Sequence, residues 1–244
     1  MPFIRKTLYF IVLSLLAYGL WEDANFKQIA AGVAIFLFGM VSLETGFKTF
    51  SGGTLQRVLK KSTDRLWKSL TFGIVTTSLM QSSSLVSVLT ISFLSAGLIT
   101  LASGIGIVFG ANLGTTTGAW IIAGFGLKVQ LSAYALPMLV FGIVFIFQKS
   151  PTWKGMGYVL GGVGFLFLGI DYMKDGFDAF RNTIDLSAFA VHGYKGLFVY
   201  ASIGIIATVI MQSSHATLVL ILTALAAGQV QYENALALAI GSNV

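Results

Sequence analysis

The chain has 244 residues, 56% of them hydrophobic and only 10% charged, with a mean hydropathy of +0.86. That balance excludes a soluble globular domain and points to an integral membrane protein, while the lack of cysteine excludes disulfides and thiolate metal sites. The net charge of +6 comes from basic residues beside apolar runs, so anionic lipid headgroups rather than nucleic acid are the expected partner.

The apolar runs are separated by Gly and short polar breaks, the pattern of a helix bundle rather than of a barrel with alternating strands. Arg5-Lys6 and the run Thr7–Leu20 fit either a short, tilted first helix or a signal-like segment, and both readings leave Trp21 across the membrane. Ile29–Phe50 reads as a span interrupted by Glu44, Thr45 and Lys48. The spacing of Glu44 and Lys48 predicts an i,i+4 ion pair near the helix end. Gln56–Lys68 carries Arg57, Lys60, Lys61, Arg65 and Lys68 against Asp64, as a cytoplasmic amphipathic segment would.

From Ser69 to Leu127 the chain has no charge. Ser69–Ile99 is long for one crossing and short for two, which need about 20 residues each. Two half-length helices meeting at Gln81-Ser82-Ser83-Ser84, as a re-entrant hairpin, satisfy that length. A continuous helix would splay the three serines about 100° apart; an unwound segment would gather them. Thr100–Leu127 reads as a glycine-rich span broken by Gly110–Thr117, and Val129–Gln148 as a plainer span containing Pro137.

The pattern then restarts. GVAIFLFGMVSLETGFKTF (32–50) aligns with GVGFLFLGIDYMKDGFDAF (162–180) at an offset of 130. Gln81-Ser82-Ser83 recurs as Gln212-Ser213-Ser214, and Gly110-Ala111-Asn112 as Gly241-Ser242-Asn243, both 131 residues on. Three blocks in one order at a constant offset predict an internal duplication. The expected organisation is a short N-terminal segment (1–28), a first repeat (29–150) with its hairpin around 69–99, and a second repeat (156–244) with its hairpin around 196–229. If the hairpins re-enter without crossing, an odd number of spans separates equivalent points and the second repeat is inverted. The distribution of Lys and Arg leans the other way, toward crossing segments. The fold class expected is an all-α polytopic membrane protein, an inverted repeat with two re-entrant hairpins.

Broken helices inside a bilayer offer bare N–H groups to anions and bare carbonyls to cations. Gln81, Gln212, Asn112 and Asn243 supply amide oxygens suited to a hard cation, and the serines supply hydroxyls that donate and accept. Neither uncharged block contains Lys or Arg, so an anion entering there would meet only dipoles, His215 and whatever cation accompanies it. A co-bound monovalent cation would offset much of the desolvation penalty. No Ser-His-carboxylate set is evident, so an enzyme is not expected.

The paired Gln-Ser-Ser words, the first followed by Gly110-Ala111-Asn112-Leu113-Gly114-Thr115-Thr116 and the second by Gly241-Ser242-Asn243, resemble the sodium/phosphate cotransporter family, type II and its bacterial relatives. The resemblance covers roughly residues 29–244. It implies two re-entrant hairpins, an inverted repeat and sodium-driven import of inorganic phosphate by a multi-pass protein of the inner or plasma membrane. Carried over, it implies a substrate site at Ser82, Ser83, Ser84, Ser213 and Ser214, to which His215 is added as a candidate from its place in the second word. It implies sodium ligation by Gln81, Asn112, Thr115, Thr116, Gln212 and Asn243. His215 departs from the serine expected at its position: as an imidazole it could donate to phosphate or make the site pH-sensitive, or it could simply bond a neighbouring helix. The second Gly-Thr-Thr is missing, so a homo-oligomer or an absent C-terminal portion would have to complete that half. Asp171, opposite Val41 in the repeat, reads either as a functional carboxylate in a span or, the favoured reading, as a membrane-edge group paired near Lys174. The rival readings are a transporter of another anion or with proton coupling, and a truncated membrane scaffold or regulator that transports nothing.

Overall fold

The structure is a computed structural model and describes residues 13–14, 17–50, 65–121, 123–124, 131–181, 191 and 193–244. The regular elements are helices: α1 (Ala24–Phe50), α2 (Leu66–Met80), α3 (Ser83–Ser95), α4 (Leu101–Ile121), α5 (Ser132–Ile146), α6 (Pro151–Arg181), α7 (Gly193–Met211), α8 (Ser214–Ala226) and α9 (Tyr232–Ser242). Most of the expected first helix and of the basic 56–68 segment lies outside the described residues.

Among the described residues three helical stretches are long and apolar enough to cross a membrane: Ala24–Thr49, Pro151–Phe180 and Gly193–Met211. The protein is thus a helical membrane protein. Two expectations change. The span expected to break at Gly110–Thr117 is one continuous helix, α4. Its threonines turn their hydroxyls onto the helix's own carbonyls, Thr115 to Ala111 (3.1 Å), Thr116 to Leu113 (2.8 Å) and Thr117 to Gly114 (2.7 Å), so the polar run is satisfied without unwinding. The two hairpins also differ in length. α2 and α3 have 15 and 13 residues, short of a crossing, but α7 has 19 and is itself one of the three candidate spans.

The chain forms two compact units, 36–168 and 1–35 with 169–244, whose boundaries fall inside α1 and α6. In the 36–168 unit α2 packs on α4 through glycines. A Cβ on Gly73 would fall 2.1 Å from the Ile107 carbonyl oxygen, and one on Gly110 would fall 2.1 Å from that of Leu70. Met80, Val86, Phe93, Ile99, Ile107 and Ala111 form the core beneath this contact. In the other unit the same positions, 131 residues on, hold α7 to α9. A Cβ on Gly204 would fall 2.2 Å from the Leu238 carbonyl oxygen, and one on Gly241 would fall 1.9 Å from that of Ala201. Apolar side chains gain little by meeting each other in lipid, so close backbone approach is the available source of helix affinity there.

α1 and α6 run antiparallel through the same device. Within the 36–168 unit Gly39 faces the Gly162 carbonyl and Gly46 the Gly155 carbonyl, and Phe38 stacks edge-on against Phe165 at 5.0 Å. Within the other unit Gly32 lies against Met173 and the Gly169 carbonyl, and Gly176 against Ile29. The expected ion pair is present, with Lys48 Nζ 2.5 Å from Glu44 Oε1. The helices after the breaks end alike: Gly97 (φ 66°) and Gly228 (φ 71°) take the left-handed turn, and the amides of Leu98 and Gln229 bond back to Phe93 and Ala224 at 2.9 Å.

Gly110→Val should therefore destabilise the protein by about 1–3 kcal/mol through overpacking against α2. Gly161→Ala, where an added Cβ meets nothing within 4 Å, should be nearly neutral. Thermal unfolding of both variants in one detergent checks this; equal melting temperatures would remove the glycine contact as the organising feature.

Candidate functional site

Each Gln-Ser word sits at a helix break two residues wide. α2 ends at Met80 and α3 begins at Ser83; α7 ends at Met211 and α8 begins at Ser214. Gln81 (φ 51°) and Gln212 (φ 53°) are the non-glycine residues with positive φ among the described residues. An L-residue in that region costs about 1–2 kcal/mol, so something must compensate. Part of it is local. The Gln81 amide Nε2 donates to the Ser78 carbonyl at 2.5 Å and that of Gln212 to the Val209 carbonyl at 2.6 Å. The Gln81 backbone N–H donates to the Thr77 carbonyl at 2.7 Å. Each glutamine therefore closes the helix before it and satisfies a carbonyl that a helix end leaves bare. Since Nε2 is committed as a donor, Oε1 is the amide's acceptor face.

Ser82 and Ser213 start the following helices from extended backbone, and their Oγ atoms accept from the N–H groups of Leu85 (3.3 Å) and Ala216 (3.2 Å). The unwound stretch is thus shorter than expected. Ser83 and Ser84 are already helical and do not share one loop: Ser83 is half-buried and Ser84 exposed. Ser214 and His215 occupy the same first-turn positions in α8. There His215 is buried, at 6% exposure, where its counterpart Ser84 is open. The first-turn N–H groups at 83–84 and 214–215 point away from any intrahelical acceptor, and with the helix dipole they favour negative charge.

The Gln81 break belongs to the 36–168 unit and the Gln212 break to the other. In the first, α4 brings Gly114 against Thr77, one turn before Gln81; the neighbouring Thr115 is half-buried, and Asn112 and Thr116 are exposed. In the second, the end of α9 reaches the break directly. Thr208 Oγ1 donates to Thr217 Oγ1 at 2.9 Å and lies 3.1 Å from the Ser242 carbonyl oxygen. Asn243 is exposed, and its Nδ2 donates to the Ala239 carbonyl at 2.9 Å and to Ser242 Oγ at 3.1 Å. Thr77, Thr208 and Thr217 were not among the expected site residues. The signal for the first two was in the chain, a threonine four residues before each glutamine.

A cavity of about 280 Å³ lined by Gly193, Tyr194, Leu197, Glu233 and Asn234 lies at the starts of α7 and α9 and includes none of the expected site residues. Asp171 is half-buried on α6. No cluster of three or more carboxylate, imidazole or thiol groups that could hold a metal occurs among the described residues.

No solved structure matches the chain significantly. Among curated proteins, the chain is 29% identical over 219 residues to YjbB of Escherichia coli (strain K12), which is named as an inorganic phosphate export protein. It is 28% identical over 219 residues to the like-named protein of Salmonella typhimurium. Each match covers 89% of this chain but 39% of the relative, so the chain spans about two fifths of their length. It is also 25% identical over 220 residues to YqeW of Bacillus subtilis (strain 168), covering 89% of this chain and 69% of that protein. The Na+/Pi-cotransporter family profile matches residues 35–175, more than half of the chain, which therefore belongs to that family.

Proposed function

We propose that this chain moves inorganic phosphate across the cell membrane together with sodium, and that its two helix breaks are the binding elements. The observation that carries the reading is the twinned break itself. Each offers an anion the first-turn N–H groups and hydroxyls of a helix start, Ser83 and Ser84 in one and Ser214 and His215 in the other. Each offers a cation the amide oxygen of a glutamine whose nitrogen is held by the preceding helix. Opposite charges bound at the two ends of one break offset each other's desolvation. Asn112, Thr115, Thr116 and Asn243 are assigned as further oxygen donors to sodium, and Ser82 and Ser213, whose oxygens already accept from their helices, as hydroxyl donors to phosphate. The inverted repeat and alternating access belong to this proposal. Support comes from α1 and α6, repeat-equivalent helices whose segments run antiparallel within each unit.

Import is the direction we assign. Export is the second reading, favoured by the name of the Escherichia coli relative. Radiolabelled phosphate flux in proteoliposomes, with an imposed sodium gradient of either sign, separates the two. Uptake that collapses when choline replaces sodium is the expected result. Flux indifferent to sodium would overturn the coupling, and no flux in any arrangement would overturn the transport reading.

Gln81→Gly and Gln212→Gly separate the two roles of each glutamine. Glycine adopts positive φ without strain, so the loss of the amide cap should be largely offset and stability should change by no more than about 1 kcal/mol. Loss of an oxygen contact to an ion, about 1.5–3 kcal/mol, should weaken apparent sodium affinity by about 10- to 150-fold. Sodium titrations of phosphate flux on variants with unchanged melting temperatures check this. An unaltered sodium dependence in both would dismiss these residues as ligands.

A further inference from the structure

The two breaks share a backbone but not a fastening. In the 169–244 segment, Thr208 on α7 donates to Thr217 on α8 and sits against the Ser242 carbonyl of α9, while Thr217 Oγ1 donates to the Ser213 carbonyl at 3.0 Å. One hydroxyl, with a single proton to give, thus has acceptors on α8 and α9 within reach at the point where the chain is interrupted. The counterparts 131 residues earlier are Thr77, Val86 and Ala111. One fastening group is absent, since Val86 has no hydroxyl, and the Ala111 carbonyl accepts from Thr115 Oγ1 of its own helix at 3.1 Å. Thr77 is fully buried and its Oγ1 has no hydrogen-bond partner among the described residues.

The helices after the breaks follow the same division. In α8 the buried residues are His215, Ala216, Thr217, Val219, Ile221, Thr223 and Ala224, beginning in its first turn. In α3 only Val86, Thr90 and Phe93 are buried. Opening the second break would rupture the Thr208 hydroxyl's bond and expose a packed helix start. Opening the first would rupture no such bond and would give the Thr77 hydroxyl access to a partner.

We propose that the first break, at Gln81-Ser82, is the yielding element of the molecule, and the second, at Gln212-Ser213, its fixed counterpart. In a transport cycle the first break is then the gate; that functional meaning rests on the transport reading above, but the difference in rigidity does not.

Amide hydrogen exchange on the full chain in lipid nanodiscs, read by mass spectrometry, tests the proposal without any transport measurement. Peptides covering 78–90 should exchange at least about tenfold faster than those covering 209–221. Val86→Thr, which gives Thr77 the partner that Thr208 has, should slow exchange in 78–90 several-fold and leave 209–221 unchanged. Thr217→Val should raise exchange in 209–221 toward the level of the first break. Equal protection of the two segments in the unaltered protein, or faster exchange in 209–221, would overturn the proposal, as would a Val86→Thr variant that exchanges as the parent does. If Thr217→Val does not fold, the unaltered protein and Val86→Thr still decide. Phosphate flux through Val86→Thr then separates the two readings. Slowed exchange with reduced flux supports a gate; slowed exchange in a protein that never transports phosphate leaves the rigidity difference standing and removes the transport reading.

Discussion

A helix that stops inside an apolar chain leaves carbonyls on one side of the stop and N–H groups on the other, and lipid offers neither a partner. The breaks at Gln81-Ser82 and Gln212-Ser213 meet that constraint with the same two residues. The glutamine takes a left-handed backbone and bonds its amide nitrogen to the helix behind it, and the serine caps the helix ahead. What remains is a helix end held open at low cost, which the proposed function uses as its binding element.

Holding such an end in place requires rigid supports, and glycine supplies them. Gly73 and Gly110 bring α2 and α4 to backbone contact, and Gly204 and Gly241 do the same for α7 and α9. Within the 36–168 unit Gly39 and Gly46 of α1, seven apart, lie against Gly162 and Gly155 of α6, and within the other unit Gly32 lies against Gly169. A seven-residue spacing keeps one face of a helix on its neighbour along its length. The broken helices are thus carried by unbroken ones whose affinity comes from backbone approach rather than from side-chain size.

The chemistry follows from what the breaks lack. Under the proposed function, the uncharged stretch around Gln81 has no cation of its own to meet an anion, and a charge-balanced pair of solutes would suit it better than either ion alone. Membership of the Na+/Pi-cotransporter family agrees with that reasoning from dipoles and oxygens. The halves nonetheless differ where it matters for motion. Thr208 is fastened and Thr77 is not, and His215 is buried where Ser84 is open. The chain carries one device twice, 131 residues apart, and a few differing residues make the two unequal.

The positions of both breaks and the Glu44–Lys48 pair could be read from the chain, because each depends on residues within a turn or two of one another. A glutamine-serine pair in an apolar run and charges four apart act locally, wherever the rest of the protein lies. The continuity of α4 could not be read in this way: Gly110–Thr117 has the composition of a break, and only the return of each threonine hydroxyl to its own helix keeps it intact. The 19-residue length of α7, the burial of His215 and the partners of Thr208 were equally out of reach. They depend on which helix lies alongside, and Thr208 meets Ser242 across 34 residues of chain. Local hydrogen bonding set where the helices stop; packing between distant segments set which of those stops is held shut.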